Sequence, residues 1–480
     1  MKIPDTVMKY KTAIFFVLFI IALFASYQKD YSFSDDVQFA FLPKNYDTGQ
    51  GFTITIYGEN YNIGRNYTFY CLEYLFYKLF GDNLLALKLL PFLFTILIFP
   101  FIIFLADNEF KNNSKGRILF ILFFVLNPYL YMYSSLLYPE NVMIFYMVYF
   151  LLVDCRVAKS GKPPEVKEYL LLISFYFLDN EAKLASGLFL FSYLLGYKKD
   201  WKKYVYMFIG IIVVYLLATK NIVHTILNNS SNVHTNINLY MKEYLPSIVL
   251  YPILRIQGWN ILYRYTLLLL IFIPVCGGYI QAIKEKRFFY VTFPPLLIGI
   301  LSVSSYRSNR MLVIIFPLLS LLFIKGYAEI NKYLRKKTSR ILLLITFIAI
   351  ILSNATGIIS DIKKNLFMEK SSIDKNFNDA MIWLFSNQPP GRVMARKWHI
   401  LFVKHSDRWK FYGGVVEAND YDYKQFILWL NEKDIDYFVT SEMRPSSIIL
   451  SQVIREKNKD ELALLWSSGN GKTCVYKVNK

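Results

Sequence analysis

The sequence predicts a polytopic α-helical membrane protein of about eleven transmembrane helices, with a small extracytoplasmic α/β domain at its C-terminal end. Three observations predict it. Apolar residues make up 55% of the 480-residue chain and charged residues only 19%, too little charge to keep a soluble surface of this size dispersed. The apolar residues are gathered in blocks such as Thr12–Tyr27 and Leu84–Ala106, on the scale of the roughly 20 residues a bilayer span needs. Without water, every backbone polar group must be paired internally, so these blocks are helices. The basic residues behind the net charge of +19 fall largely in short loops between the blocks. That is the positive-inside pattern, and it accounts for the charge without nucleic acid.

The crossings follow in order. Lys2, Lys9 and Lys11 hold the N-terminus in the cytoplasm. The first block has a long apolar run and no small-x-small cleavage site after it, so it reads as a signal anchor rather than a cleaved signal peptide. The second helix, about Leu84–Ala106, returns to an inner loop bearing Lys111, Lys115 and Arg117. Helices over Ile118–Ser135 and Leu136–Val153 lead back to Arg156, Lys159, Lys162 and Lys167.

Tyr169–Tyr197 is flanked by basic clusters on both sides, the second being Lys198, Lys199, Lys202 and Lys203. One crossing would strand a cluster outside. Two short helices meeting at Asp179–Lys183 keep both clusters inside. Tyr204–Thr219 then exits and Ile261–Ile283 enters, followed by Phe288–Ser304, Met311–Ile324 and Ile341–Ser353. This places the C-terminal part outside.

Residues 1–360 therefore form the membrane domain and 361–480 the extracytoplasmic one. In the latter, Phe377–Phe385 and Tyr423–Leu430 read as amphipathic helices. Ile435–Thr440 and Cys474–Val478 read as strands, the second after a Gly469-Asn470-Gly471 turn. The four cysteines have neither metal spacing nor a disulfide framework. Cys71 and Cys474 fall on the same, oxidising side, where a bridge between them is open. No internal repeat is present. Usage rich in Lys, Ile and Asn is associated with AT-rich bacterial genomes, and the topology places the chain in the cell membrane.

Sorted by side, the charges are asymmetric. Inner loops read as basic and bland, whereas acidic groups collect at the outer ends of the helices. Asp35 and Asp36 open the first outer loop, Glu140 follows Tyr138-Pro139, and Asp179 and Glu181 sit at a turn with Lys183 just inside it. Arg307 and Arg310 lie at the turn before a late helix, and Arg65 lies in the first outer loop. Each has a plain alternative. The acidic pair can be solvated loop residues, and Glu140 can complement a helix dipole behind Pro139. Asp179 and Glu181 can be turn residues while Lys183 snorkels outward. The arginines can meet lipid headgroups.

The order of these groups resembles the GT-C glycosyltransferases, in the family 39-like branch of protein O-mannosyltransferases and aminoarabinose transferases. The matching residues are Ser34-Asp35-Asp36-Val37-Gln38-Phe39, the membrane-parallel Thr68–Phe80 before Leu84–Pro91, and Tyr138-Pro139-Glu140-Asn141. To these add Leu178–Gly187 with Lys183, Arg310-Met311-Leu312-Val313-Ile314-Ile315-Phe316-Pro317, and the C-terminal domain with its Asp434–Val439 segment. The chain departs from the pattern at Asp36, where Glu is commoner, and at Ser34, where Pro is usual.

The resemblance implies transfer of a sugar from a polyprenyl-phosphate carrier to an extracytoplasmic glycan, lipid or protein, without nucleic acid. An acceptor hydroxyl then needs a base, for which Asp35 is placed, with Asp36 beside it. The leaving phosphate calls for fixed cations: Arg310 first, then Arg307, Lys183 and Arg65. Glu140, with Asp179 and Glu181, is left to hold donor-sugar hydroxyls or a divalent metal, and the sequence does not choose between them. The rival readings are a polyprenyl-linked lipid or oligosaccharide transporter or flippase, and a cell-wall polysaccharide polymerase or ligase. A transporter would carry its functional charges near the midplane of repeated halves. Here the charges gather at one surface and no halves repeat.

Overall fold

The computed structural model describes residues 5–27, 36–56, 59–62, 66–111, 113–134, 136–195, 261–303, 313–333, 337–367, 372–395, 400–413, 423–440 and 461–479. The chain runs through α1 (Asp5–Ser26), α2 (Asp36–Asp47), a hairpin β1 (Thr53–Ile56) and β2 (Glu59–Asn62), α3 (Tyr67–Phe80) and α4 (Leu84–Leu87). It continues as α5 (Leu89–Glu109), α6 (Ser114–Val125), α7 (Pro128–Ser134), α8 (Glu140–Ser160), α9 (Val166–Tyr176) and α10 (Asn180–Leu195). Four more long helices follow: α11 (Ile261–Lys284), α12 (Phe288–Val303), α13 (Phe316–Tyr333) and α14 (Lys337–Phe367). The remainder is α15 (Ser372–Asn387), β3 (Arg392–Ala395), α16 (Ile400–Lys404), β4 (Lys410–Gly413), α17 (Tyr423–Glu432), β5 (Tyr437–Val439), β6 (Leu462–Ser467) and β7 (Cys474–Val478).

These residues divide into two compact units. The first takes Met1–Tyr27, Pro91–Ser134 and Pro139–Ile362; the second takes Gln28–Leu90, Ser135–Tyr138 and Lys363–Lys480.

The first unit is an all-helical bundle with apolar outer faces. On α1, Ile14, Val17, Leu18, Ile21 and Phe24 form an exposed stripe at helical spacing, Phe24 being 63% exposed, while Phe19 and Leu23 are buried. α14 repeats the pattern with Leu344, Ile345, Ile348 and Leu352 exposed and Phe347 and Ile350 buried. Apolar stripes of this extent have a suitable solvent only in lipid. Among the described residues, Leu85–Glu109, Glu140–Ser160 and Val313–Asn331 are long and apolar enough to cross a membrane. The pair Ser114–Val125 and Pro128–Ser134 makes a fourth span bent by 42°.

The bundle departs from the sequence reading at several boundaries. Ile118–Ser135 is not one helix: Pro128 has no N–H to give and starts a new segment, so α6 and α7 break at Leu126-Asn127. The next helix begins at Glu140, after Pro139, rather than at Leu136. The last helix is longer than Ile341–Ser353 and runs from Lys337 to Phe367. The expected break at Asp179–Lys183 falls at Phe177–Asp179, between α9 and α10. The span expected at Tyr204–Thr219 lies outside the described residues.

In the second unit, five strands form one sheet in the order β4-β3-β5-β7-β6, with β3 parallel to β4 and β5 and the β5-β7-β6 side antiparallel. The helix α17 packs its Phe426, Ile427 and Leu430 with Phe438, Tyr476 and Val478 of the sheet. α2, α3 and the β1–β2 hairpin belong to the same unit, held by a run of aromatic contacts. Phe39 meets Phe69 and Tyr138, and Tyr46 stacks on Phe52 at 4.2 Å. Cys71 is exposed and Cys474 buried, and both are free thiols, so the bridge left open by the sequence is absent.

Candidate functional site

Helix direction in the first unit follows from its contacts. Tyr146 of α8 stacks on Phe175 near the end of α9 at 5.4 Å, and its hydroxyl shares a hydrogen bond with Ser174 at 2.9 Å. Farther along α8, Arg156 pairs with Glu168 at the start of α9 at 2.5 Å. α8 and α9 are therefore antiparallel, and α10 turns back beside α8 so that Ser192 reaches Asp154 at 3.3 Å. This puts Glu140 and Asp179 at the same end of the bundle.

Other elements reach that end too. Asn141, next to Glu140, donates to Thr95 near the start of α5 and to the Leu130 carbonyl of α7, at 2.5 and 2.9 Å. Tyr27, just past α1, packs on Phe92 at 5.3 Å. Phe316, at the start of α13, meets Phe124 near the end of α6 at 4.6 Å.

Glu140 is 2% exposed and opens α8, where its carboxylate complements the positive end of the helix. The Asp179 carbonyl accepts the Lys183 backbone N–H at 2.9 Å, closing the first turn of α10. Asp179 is buried and Lys183 half-buried. Asp36 is the first residue of α2 and Glu181 lies in α10, but their side chains fall outside the described residues, as do Asp35, Arg65, Arg307 and Arg310 altogether. Among the described residues, no group of three or more His, Cys, Asp or Glu stands together to hold a metal.

The opposite end carries what the sequence reading missed. About 21 Å along α8 from Glu140, at 1.5 Å per residue, Asp154 accepts from Arg287 at 2.9 Å. The same guanidinium donates to Glu109 at 2.9 Å and to the Tyr290 hydroxyl at 2.6 Å, and Tyr290 donates to Glu109 at 2.8 Å. Lys325 bridges Glu109 and Glu285 at 2.7 and 2.8 Å. Arg287 is 4% exposed at its side chain, and Glu109, Asp154 and Lys325 are likewise buried.

This end of the bundle is not bland. Its loops are basic, but a network of paired ions joins α5, α8, α12 and α13 beneath them. Buried charges are tolerated because each finds opposite charge and hydrogen bonds. The available sign was acid just past the inner ends of apolar blocks, at Glu109 and Asp154.

In the second unit, Asp36 begins α2 and Lys44 lies toward its other end. Lys44 Nζ donates to the Val403 carbonyl at 2.5 Å and to the Lys404 carbonyl at 3.3 Å. Asp47, the last residue of α2, accepts from Lys78 and from the Tyr74 hydroxyl. The hydrogen bond from Lys78 holds the Asp47 carboxyl below its ordinary range, and Asp47 in turn raises Lys78.

No family model and no curated sequence matches this chain. Solved structures do. ArnT from Cupriavidus metallidurans in its apo state superposes with a TM-score of 0.55 at 11% identity, covering 98% of both chains. The chain has the GT-C fold. The Archaeoglobus fulgidus oligosaccharyltransferase, in a complex with Zn and sulfate, matches with a TM-score of 0.53 at 11% identity, over 95% of this chain and 72% of its own. The mycobacterial arabinofuranosyltransferase AftD matches with a TM-score of 0.55 at 13% identity, over 98% of this chain and 40% of its own. ArnT has also been solved with undecaprenyl phosphate bound, and that structure matches with a TM-score of 0.52. The GT-C fold thus covers the bundle and the C-terminal sheet together.

Proposed function

We propose that this chain is a membrane glycosyltransferase that moves a sugar from a polyprenyl-phosphate carrier to an extracytoplasmic glycan, lipid or protein. The observation that carries the reading is the GT-C fold shared with ArnT over 98% of both chains. ArnT with undecaprenyl phosphate, and the archaeal oligosaccharyltransferase with dolichol-phosphate and an inhibitory peptide, support the class of donor and acceptor. About eleven crossings, a cytoplasmic N-terminus and an outer C-terminal domain over 361–480 belong to the same reading.

Chemistry assigns the roles. Asp35, the residue before α2 in sequence, takes the proton of the acceptor hydroxyl as it attacks the anomeric carbon, and Asp36 is next in line. Arg310, with Arg307, Lys183 and Arg65, meets the charge that grows on the departing phosphate. Glu140, Asp179 and Glu181 are the acids proposed to hold the hydroxyls of the donor sugar. The same carboxylates, with Asp35, are the oxygen donors a divalent cation would take, and it would add a further positive charge beside the phosphate. The isoprenoid tail of the donor stays in lipid, the solvent that the apolar outer faces of the first unit also require.

Incubating the purified chain with a panel of polyprenyl-phosphate sugars tests this reading. Release of polyprenyl phosphate with a new glycosidic bond is expected. Movement of a lipid-linked sugar across vesicles with no bond formed would sink it in favour of a transporter.

A further inference from the structure

We infer that the C-terminal domain positions the acidic pair, and that Lys44 is the residue through which it does so. This inference rests on the proposed transferase reading. Asp36 is the first residue of α2, and Asp35 precedes it directly, so whatever fixes α2 fixes where the pair begins. Asparagine 45 and Asp47 tie the far end of α2 locally, to the Thr53 carbonyl at 2.8 Å and to Lys78. Lys44 makes a different kind of contact. It reaches across 359 residues of sequence to the Val403 carbonyl, and to that of Lys404 beside it.

Those two carbonyls end α16 (Ile400–Lys404), and the last carbonyls of a helix have no partner within it and carry its negative end. An ammonium is the natural cap, and a charge-assisted hydrogen bond is about twice as strong as a neutral one. α16 is itself firmly seated. Its chain continues through the Trp409 N–H bonded to the His405 carbonyl at 2.9 Å. Trp409 packs on Phe385 of α15 at 4.7 Å and on Tyr437 of β5 at 5.6 Å, and Val403 is buried. The path from the sheet to α2 is thus a series of rigid contacts ending on one flexible lysine. β1, which follows α2, also lies beside β4 of the sheet.

Lys44 is a positioning residue in this scheme, because it acts on the reacting atoms only through α2. Its chemistry also explains why a separate folded domain follows the bundle: it supplies a fixed surface for the loop that bears the base. A base displaced by about an ångström can lose on the order of a hundredfold in rate, while a donor held mainly by the cations is bound as before.

The test compares wild type, Lys44→Met and Lys44→Arg as full-length protein in detergent, by hydrogen exchange, donor binding and turnover. In Lys44→Met, α2 amides should exchange about tenfold faster or more, with β5 and β7 unchanged. kcat should fall about tenfold or more, with the Kd for the polyprenyl-phosphate sugar unchanged. Lys44→Arg, whose guanidinium can donate to both carbonyls, should restore protection and rate together. Unchanged α2 exchange in Lys44→Met overturns the inference, and so does loosening that spreads through the sheet, since Lys44 would then be merely structural. Wild type inert toward every donor, with α2 still loosened by Lys44→Met, overturns the transferase reading and keeps the tether.

Discussion

An acceptor hydroxyl that attacks an anomeric carbon must lose its proton as the bond forms, and Asp35 is the carboxylate proposed to receive it. Asp35→Asn keeps the size and some hydrogen bonding of the side chain but removes the basic oxygen. Transfer should fall by at least about a hundredfold while donor binding, measured in the same detergent preparation, stays intact. Near-wild-type transfer would remove Asp35 as base and leave Asp36 or Glu140 to be tried. Arg310→Lys should slow transfer as well, because a point charge replaces a fork that meets phosphate at two oxygens. Asp47 and Lys78 are a separate matter of stability. Asp47 is lowered by its bond from Lys78, so its contribution is present above the ordinary carboxylate range and lost as pH falls through its folded value. Lys78 is raised, so its contribution is present below the ordinary lysine range and lost as pH rises through its folded value. Both are solvent-exposed and the effect is small. Melting curves of Asp47→Asn should show a shallower loss on the acid side than wild type, and equal slopes would mean that the pair is idle.

Helices α11 and α13 touch backbone to backbone. A Cβ built at Gly326 would lie 1.7 Å from the Pro274 carbonyl oxygen, and one at Gly278 would lie 1.9 Å from that of Leu322. Such close approach at small residues is how helices associate without a hydrophobic driving force between them. Gly326→Val must push the helices apart, and overpacking of this kind costs about 1–3 kcal/mol. Its thermal midpoint should drop clearly, whereas Gly187→Ala, in α10 with open space where the methyl would go, should melt like wild type. Equal midpoints would show that the α11–α13 contact is not tight. At this scale the sequence was legible where charge or period marks an element. The α9–α10 break followed from basic flanks on both sides, and β7 from a turn motif before alternating residues. β3 and β4 escaped because four-residue strands carry too little period to read. β6 escaped because a register shift between Leu464 and Trp466 breaks its alternation. The ion network was hidden for another reason: Arg287 and Asp154 are 133 residues apart, and nothing local announces such a pair. In the candidate site, Glu140 and Asp179 were legible as acids beside helix ends. Their shared end became visible only through the α8–α9 contacts.

Across the first unit, the two ends of the bundle differ in character. Arg117, Arg156, Lys159 and Arg287 belong to loops or helix ends that gather at one end, as the pairs Arg117–Asp107, Lys159–Asn108 and Arg287–Glu109 require. Glu140 and Asp179 mark the other. In the proposed topology the basic end faces the cytoplasm, because moving Lys and Arg outward is what insertion resists. On the proposed path of about eleven crossings, an odd number separates the α8–α9 loop from the β6–β7 turn, which puts the two on opposite sides. An error of one crossing would bring them to the same side, which makes their relative placement a sensitive measure of the whole path. Cysteines introduced at Lys162 and at Asn470 read it directly, in a background where exposed Cys71 is replaced by Ser. In intact cells an impermeant maleimide should modify Asn470→Cys, whereas Lys162→Cys should react only after the membrane is opened. Labelling of both from outside would mean that one span is miscounted, and the outer placement of the C-terminal domain would lose its link to the basic loops. Labelling of Lys162→Cys alone would invert the molecule and put Glu140 and Asp179 on the cytoplasmic side, where an acceptor outside the cell could not reach them.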